Sequence, residues 1–339
     1  MMRRQVIAAL FLASVSAAAI GIVGLVAEWY LRTTVPIDWT QEYRIPHPVL
    51  GWTLAAGSRY TTYVPEPVVV SYNSEGWRDI EPDGRLDADL RVAILGDSFV
   101  EAYSVERDES VSSRLDALIK SSGQDGEVFN FGVGGYGTLQ ESLVYKQIAA
   151  TYRPQLVLLG FYLGNDVRNN DVRLESAVNT GQEKIESRPF LTVGSSGMRS
   201  ITPLDITEAR KQYEFERARR EQWPLRDARK SVLFRVLGRT VRRLAGNVVT
   251  SDGTDGLVTQ QEELGEVSRF GVHFCEEPEE ITSAWTLTTV LLEQLRDAVR
   301  ANGARLVVFT VPAQEEVHKA SMEAALARVA RPERFCFER

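Results

Sequence analysis

Three short stretches of the sequence carry residue types that can act on the carbonyl group of an ester. "GDSF" supplies the hydroxyl of Ser98, "NFGVGGYGT" supplies glycines that let the backbone approach a ligand, and "GFYLGND" supplies the carboxamide of Asn165. A hydroxyl can attack a carbonyl carbon, and backbone or carboxamide N–H groups can stabilise the oxyanion that forms. Each stretch alone is also an ordinary turn or packing motif, and Asp97 within the first is expected to be structural.

Each of these stretches follows an apolar run that the sequence predicts to be a buried strand. The predicted strands are 91–96, 127–131 and 155–161, with helices between them at about 110–121 and 139–152, and a later helix at about 282–302 precedes a strand at 305–311. This order, with continuous apolar runs, predicts an α/β fold in which helices cover a parallel sheet. Because parallel strands end at one edge of a sheet, the hydroxyl, the glycine amides and the carboxamide are expected to converge there.

The order and spacing of "GDSF", "NFGVGG" and "GND" resemble those of the SGNH (GDSL-type) hydrolases. The resemblance implies that Ser98 is the nucleophile and that its own amide, Gly135 (five residues after Asn130) and Asn165 hold the oxyanion. It also implies a flavodoxin-like three-layer αβα sandwich that hydrolyses or transfers acyl esters without a metal or cofactor. The matching blocks cover about 89–170, and "NSEGWRD" before them is similar to membrane-anchored bacterial members.

The family's last block, an Asp-x-x-His that supplies the general base and its carboxylate, does not occur in this sequence. The three histidines are His47, His273 and His318, and His318, with Glu315 and Glu316 nearby, would be a weak substitute. The resembling fold has five strands in the order 2-1-3-4-5, whereas the sequence shows four, which leaves "LVVFTV" as an apolar edge. We therefore expect a chain cut short, a base beyond its last residue and little or no activity.

The chain divides by composition into four parts. They are a tail and membrane anchor at 1–28, a β-rich neck at 29–88, an α/β core at 89–170 and 281–339, and a charged insertion or lid at 171–280. Within the insertion, 201–246 has a net charge of +6, and 231–246 has apolar residues at helical spacing with arginines between them. Such a helix could lie on an anionic membrane or polymer, or it could simply pack one face on the core.

The N-terminal segment 6–27 has 22 residues without a charge, which as a helix matches the thickness of a bilayer core. Arg3 and Arg4 precede it, so the positive-inside rule predicts that everything after Glu28 is extracytoplasmic, in the periplasm or outside the cell. A cleaved signal peptide is the alternative, because small residues near 16–19 resemble a cleavage site. Either interpretation predicts an extracytoplasmic core.

Overall composition narrows the class of function. A net charge of -7 argues against nucleic acid as a partner, and 44% hydrophobic residues suffice for a sizeable core. Cys275 and Cys336 lack metal-site or redox spacing and could form a disulfide or remain two thiols. The resulting hypothesis is an extracytoplasmic esterase for O-acyl groups of a polysaccharide or an acylated small molecule. The alternatives are an O-acyltransferase using the same serine, and a non-catalytic glycan-binding or scaffold protein.

Overall fold

A computed structural model provides the coordinates discussed below. It describes residues 14–16, 19–30, 43–63, 67–82, 87–178, 188–193, 199–222, 271–327 and 332–336. The chain forms two units, one comprising 1–39 with 214–250 and the other 40–213 with 251–339. All residues of the candidate site described below belong to the larger unit.

A four-stranded parallel sheet forms the centre of the larger unit. Its strands, in spatial order, are β10 (Arg305–Val311), β7 (Leu156–Tyr162), β5 (Leu90–Gly96) and β6 (Gly126–Gly132). Read from β6 and numbered along the chain, the order is 2-1-3-4, which is the order that the resemblance implies for the four strands present. β10 pairs only with β7 in the described part of the chain, so its other edge is unpaired there.

Helices cover both faces of the sheet, which confirms the predicted α/β class. Apart from the N-terminal helical residues, the α-helices in the described ranges are α1 (Ser98–Glu101), α2 (Val111–Ser121), α3 (Thr138–Gln147), α4 (Asp166–Asn169), α5 (Val172–Val178), α6 (Thr207–Gln222), α7 (Glu279–Ala301), α8 (Gln314–Val317) and α9 (Lys319–Leu326). The Ser110 hydroxyl begins α2 by accepting a hydrogen bond from the Ser113 amide at 3.2 Å. α7 buries one stripe at helical spacing, made of Ile281, Ala284, Thr288, Leu291, Leu295 and Val299.

The alternation of side chains along β5 assigns the two faces. Ala93 and Leu95 pack in the larger core with residues of α3 and α7, whereas Val92 and Ile94 pack with residues of α2. Because both faces are covered, β5 is apolar throughout rather than alternating. The result is three layers, helix on sheet on helix.

The region before β5 forms two antiparallel hairpins. β1 (Arg44–His47) pairs with β2 (Gly51–Leu54), and β3 (Arg59–Tyr63) pairs with β4 (Pro67–Ser71). Buried residues of β2, β3 and β4 belong to the same hydrophobic core as the central sheet. In the described part of the insertion, β8 (Leu191–Val193) and β9 (Arg199–Ile201) form a further hairpin before α6.

Two predictions concern segments that the structure describes only in part or not at all. Residues 14–16 and 19–30 are helical, and none of the helices in the described ranges is both long and apolar enough to cross a bilayer. The predicted anchor at 6–27 extends beyond those ranges and stays a prediction. The amphipathic segment 231–246 lies outside the described residues.

The two cysteines form a disulfide, Cys275–Cys336, which resolves the alternative that the sequence leaves open. It joins the segment before α7 to the segment after α9. The same two segments are held by stacking of Phe274 on Phe335, with ring centroids 4.5 Å apart. The disulfide and the ring contact therefore fix the C-terminal segment 332–336 to the segment that precedes α7.

Candidate active site

Ser98 lies at the carboxyl end of β5, as the first residue of the one-turn helix α1. Asp97 is completely buried and caps this helix, because its Oδ1 accepts a hydrogen bond from the Phe99 amide at 2.9 Å. The helix crosses the end of the neighbouring strand so closely that a side chain on Gly132 would lie 2.3 Å from the Glu101 amide nitrogen. The tight crossing places Ser98 at the edge of the sheet, half-buried rather than in the interior.

Of the polar groups of Ser98, only the backbone carbonyl has a hydrogen-bond partner in the described ranges. Its carbonyl accepts a hydrogen bond from the Ala102 amide at 2.8 Å, which closes the single turn of α1. Its hydroxyl and its amide N–H form no hydrogen bond with any residue in the described ranges. A nucleophile and one oxyanion donor need these two groups to be free.

The second predicted stretch forms a tight turn beyond β6. The Tyr136 amide donates to the Val133 carbonyl at 3.1 Å, and Gly135 has a φ of +82° at the third position of the turn. This is the geometry of a type II turn, which favours glycine at that position because a side chain would be strained there. Gly135 is half-buried at the edge of the sheet.

The amides of this turn have different partners. Val133 donates to the Gly96 carbonyl at 3.1 Å, and Gly134 donates to the Glu101 carboxylate at 2.5 Å. The Tyr136 amide is used within the turn. Across the described ranges, the Gly135 N–H is the amide between 133 and 136 that has no hydrogen-bond partner. This N–H is therefore available to a ligand.

The Glu101 carboxylate is buried directly behind the turn. It accepts hydrogen bonds from the Gly134 amide and from the Tyr72 hydroxyl, each at 2.5 Å. Burial raises the pKa of Glu101, whereas these two bonds and the charges of Arg44 and Arg78 lower it. Glu101 thus fixes the first half of the turn from the protein side and does not face a ligand.

Asn165 follows β7 and begins α4. One hydrogen of its side-chain nitrogen goes to Asp97 Oδ2, at an N–O distance of 2.8 Å. A carboxamide nitrogen carries two hydrogens, so the second can still donate. Burial raises the pKa of Asp97 to about 6, although the bonds from Phe99 and Asn165 oppose this rise. Asp97 is therefore the residue that joins the nucleophile loop to the third loop.

The structure brings all three predicted residues to the same end of the sheet. The Ser98 Cβ lies 3.6 Å from the position that a Cβ on Gly134 would occupy, which places the serine beside the glycine turn. Asp97, the residue before the serine, is bonded to Asn165. The serine therefore stands between the loop that carries Gly135 and the loop that carries Asn165.

Two of the four glycines predicted to approach a ligand have a different role. A side chain on Gly132 would collide with α1, and one on Gly137 would come within 2.7 Å of the Asn169 Cβ. At these two positions glycine permits close packing of protein against protein. The approach to a ligand thus depends on the turn at Gly134 and Gly135.

None of the three histidines forms a hydrogen bond with Ser98 in the part of the chain that the structure describes. The Nδ1 of His47 accepts the Leu50 amide at 3.1 Å, and burial lowers the pKa of this histidine. His273 Nε2 lies 3.5 Å from Glu316 Oε1. His318 is exposed between α8 and α9. The structure therefore adds no evidence that His318 serves as a base.

Two further acidic side chains, Glu141 of α3 and Asp166 of α4, are buried behind the site. Burial raises the pKa of each well above its usual value, and the charge of Asp97 adds to the effect for both. Arg188 opposes this rise through its positive charge. These groups face the protein interior, and no cluster of three or more metal-binding side chains occurs within the described ranges.

Four residues that support the site were not predicted from the sequence: Arg44, Tyr72, Glu101 and Arg188. Arg44 and Arg188 donate to the carbonyls of the glycine turn from positions 90 and 53 residues away. No local pattern marks such contacts. For Glu101 a signal existed, since an acidic residue three positions after a candidate nucleophile, within an apolar stretch, is rarely left unpaired when buried.

No protein-family model and no curated protein matches the chain. Among solved structures, it is similar to AlinE4, an SGNH-hydrolase family esterase, with 25% identity and a TM-score of 0.21 over 23% of this chain and 42% of that one. It is also similar to an acetyl xylan esterase, AlAXEase, with 12% identity and a TM-score of 0.27 over 73% of this chain and 85% of that one. TesA matches with 16% identity and a TM-score of 0.23 over 61% and 99% of the two chains.

Of the structures named above, AlinE4 is an SGNH-hydrolase family esterase and AlAXEase is an acetyl xylan esterase. Their TM-scores are all below 0.5, and the match with AlinE4 spans less than half of that protein.

Proposed function

We propose that the protein is a serine-dependent acyl-ester hydrolase of the SGNH type. One observation carries the proposal: the free hydroxyl and amide of Ser98, the free amide of Gly135 and the spare N–H of Asn165 meet at one edge of the sheet. Three N–H donors beside a hydroxyl are what the attack of an alcohol on an ester carbonyl requires.

The reaction follows from these groups. Ser98 Oγ adds to the carbonyl carbon while its proton passes to a base, and the carbonyl π electrons move to oxygen. The amides of Ser98 and Gly135 and the Asn165 carboxamide donate hydrogen bonds to that oxyanion. Collapse of the intermediate expels the alcohol with a proton and leaves an acyl-serine, which water then hydrolyses to the acid and free serine.

The described residues around Ser98 do not include an identified acceptor for its proton. The resemblance implies a histidine oriented by an aspartate, yet none of the three histidines hydrogen-bonds to Ser98 in the described ranges. A serine without its base keeps the part of catalysis that oxyanion binding supplies, on the order of 10³ to 10⁴ over water. We therefore expect these 339 residues to turn over slowly unless a base is supplied.

The proposed location and substrate rest on the sequence and on the disulfide. The uncharged segment 6–27 would act as an anchor or a signal peptide and place the core outside the cytoplasm. The Cys275–Cys336 disulfide supports this, because such bonds persist in oxidising compartments. In that location, O-acyl groups on an envelope or secreted polysaccharide are the substrates we propose.

The test is hydrolysis of p-nitrophenyl acetate by the full chain with and without added imidazole, which can accept the serine proton as an external base. We expect imidazole to stimulate acetate release well above the rate of the Ser98→Ala variant, since imidazole alone also cleaves this ester. Ser121→Ala, an exposed serine on α2, is the matched control and should behave like the unchanged protein. Equal rates for the unchanged protein and Ser98→Ala would contradict an enzymatic role and favour a binding protein.

A second assay separates hydrolysis from transfer. With an acetylated donor and a glycan acceptor present, mass spectrometry of the products should show free acetate and no newly acetylated glycan. Ser98-dependent acetylation of the glycan would identify an O-acyltransferase instead.

A further inference from the structure

The peptide unit between Gly134 and Gly135 has two accessible orientations. A type II turn differs from a type I turn chiefly by a flip of this central peptide, and glycine at both central positions permits either form. The two orientations point the Gly135 N–H in roughly opposite directions, so at most one of them can present it to a ligand held at Ser98. Something must therefore hold the peptide if Gly135 is to be a dependable donor.

Arg44 holds the carbonyl side of that peptide. Its Nη2 donates to the Gly134 oxygen at 2.8 Å. The C=O and N–H of a trans peptide point in opposite directions, so fixing the Gly134 carbonyl also fixes the Gly135 N–H. The guanidinium lies 5.7 Å from the ring centroid of Trp52, which limits its own movement.

Arg188 holds the next carbonyl in the same way. Its Nη2 donates to the Gly135 oxygen at 2.7 Å, and its Nη1 donates to Gln140 Oε1 at 2.7 Å. The side chain is 7% exposed, and its guanidinium lies 5.2 Å from the ring centroid of the same residue, Trp52. Its Nε is 3.3 Å from Glu175 Oε1, so a carboxylate compensates the buried charge.

We propose that Arg44 and Arg188 are positioning residues for the oxyanion donor, an inference that rests on the proposed function. They lock the glycine turn in the orientation that presents the Gly135 N–H. The Arg44 guanidinium also places a positive charge at the Gly134 oxygen, which polarises the 134–135 unit and strengthens its N–H as a donor. Arg188 bonds the oxygen of the next unit, 135–136, and so restrains the backbone on the other side of Gly135. Neither arginine needs to touch the substrate.

Three separated parts of the chain thus determine the orientation of one donor, the Gly135 N–H. Arg44 comes from the first hairpin, Arg188 lies in the insertion, and the turn lies between β6 and α3. The regions outside the three sequence blocks thus take part in the chemistry by setting a backbone orientation. This gives the first hairpin and the segment around 188–193 a defined role.

The primary variant is Arg44→Met, because Arg44 is exposed and its loss should leave the fold intact. With imidazole present, we expect kcat for p-nitrophenyl acetate to fall by about 10- to 100-fold while KM stays within about twofold, since a misplaced donor affects the transition state more than substrate binding. Arg44→Lys keeps the charge and one donor and should recover most of the loss. Arg188→Lys should lower kcat in the same manner.

A thionoester comparison distinguishes positioning from general damage. Sulfur accepts hydrogen bonds poorly, so the ratio of ester to thionoester rates reports on the oxyanion donors. The ratio should fall in Arg44→Met and remain unchanged in Arg91→Met. Arg91 is the matched control, because it also binds backbone carbonyls, those of Ala88 at 2.6 Å and Tyr152 at 3.1 Å, but at the opposite end of the sheet.

These experiments distinguish failure of the positioning role from failure of the proposed function. If Ser98→Ala abolishes the imidazole-dependent rate but Arg44→Met changes neither kcat nor the ratio, the esterase stands and the positioning role is wrong. An equal fall of both ester and thionoester rates in Arg44→Met would also overturn the role, since it would indicate structural damage. If Ser98→Ala has no effect, the proposed function itself fails.

Discussion

The ends of β6, β5 and β7 differ sharply from the end of β10, although all four strands point to the same edge of the sheet. At the first three, hydrogen bonds join backbone amides and buried side chains, and within the described ranges Ser98 and Gly135 keep free backbone N–H groups there while Asn165 keeps a spare side-chain N–H. At the end of β10, the polar groups pair with each other, as His273 does with Glu316. Ser98, Gly135 and Asn165 are thus brought together without a described contact from the outer strand.

The two regions also differ in how tightly they are packed. Val100 of α1 is almost fully buried, and its methyl groups occupy the space that side chains on Gly96 and Gly160 would need. On β10, Val308 is 43% exposed beside an edge that no described strand covers. The comparison indicates that stability and site geometry are concentrated at the three inner strands.

The largest effect is expected at Asn165, which belongs to the inner region. Asn165→Ala removes one oxyanion donor, so kcat in the imidazole assay should fall by about 10²- to 10³-fold. Asn170→Ala is the control. Its carboxamide, five residues on, donates to the hydroxyls of Thr138 and Thr288, so its loss should lower stability and spare the chemistry. Equal kcat values for the two variants would show that Asn165 is only structural.

The next effect concerns packing. Val100→Ala should lower the free energy of unfolding by about 2 kcal/mol, because it removes buried methyl groups and leaves a cavity. Val308→Ala, the same substitution at the exposed edge, should change it by less than about 0.5 kcal/mol. Urea unfolding curves compare the two. A larger loss for Val308→Ala would mean that the outer edge is covered and that the contrast between the regions is wrong.

A pH-dependent effect should follow from the buried acid Glu141. Its pKa is raised in the folded protein, so between its unfolded and folded pKa values the folded state holds a proton that the unfolded state has released. Stability contributed in this way falls as pH rises through that window. Glu141→Gln removes the titration, so its melting temperature relative to the unchanged protein should increase from pH 4.5 toward neutral.

The control for that experiment is Glu293→Gln, an exposed position on α7. Its melting temperature should follow the unchanged protein at every pH. If the melting temperatures of Glu141→Gln and the unchanged protein differ by the same amount at every pH, the Glu141 carboxyl is ionised in both the folded and the unfolded state. Arg188 would then compensate its charge fully.

The smallest effect is expected at the end of β10. His273→Ala should alter the Ser98-dependent rate by no more than about twofold, because this histidine pairs with Glu316 and has no described contact with the serine. The assay is the same p-nitrophenyl acetate reaction without imidazole. A loss as large as that of Ser98→Ala would identify His273 as the base and make the two regions one site.

Much of the inner region could be predicted from the sequence. Continuous apolar runs gave the four sheet strands to within one or two residues, and the chain order of the blocks gave their convergence at one edge. The sequence also shows that glycine is needed beyond β6. It could not separate Gly132, which packs on α1, from Gly135, which takes a positive φ, because the same residue serves both purposes.

The supporting contacts could not be predicted, for a physical reason. The bonds from Arg44 and Arg188 to the turn depend on how distant segments fold back, and no periodic pattern encodes such long-range pairs. The Cys275–Cys336 disulfide could not be predicted either, because the spacing of two cysteines 61 residues apart does not show whether they pair. Both kinds of contact depend on the tertiary structure, which composition and local patterns do not specify.

The central claim is that the serine hydroxyl, the glycine amide and the asparagine carboxamide surround a single space of carbonyl size. A crystal structure of the protein after reaction with diethyl p-nitrophenyl phosphate tests it most directly, because the phosphoryl oxygen of the adduct stands where the oxyanion would form. We predict phosphorus bonded to Ser98 Oγ and its oxygen about 2.7 to 3.1 Å from the amide nitrogens of Ser98 and Gly135 and from Asn165 Nδ2. An adduct on another residue, or an oxygen that points away from Gly135 and Asn165, would contradict the claim.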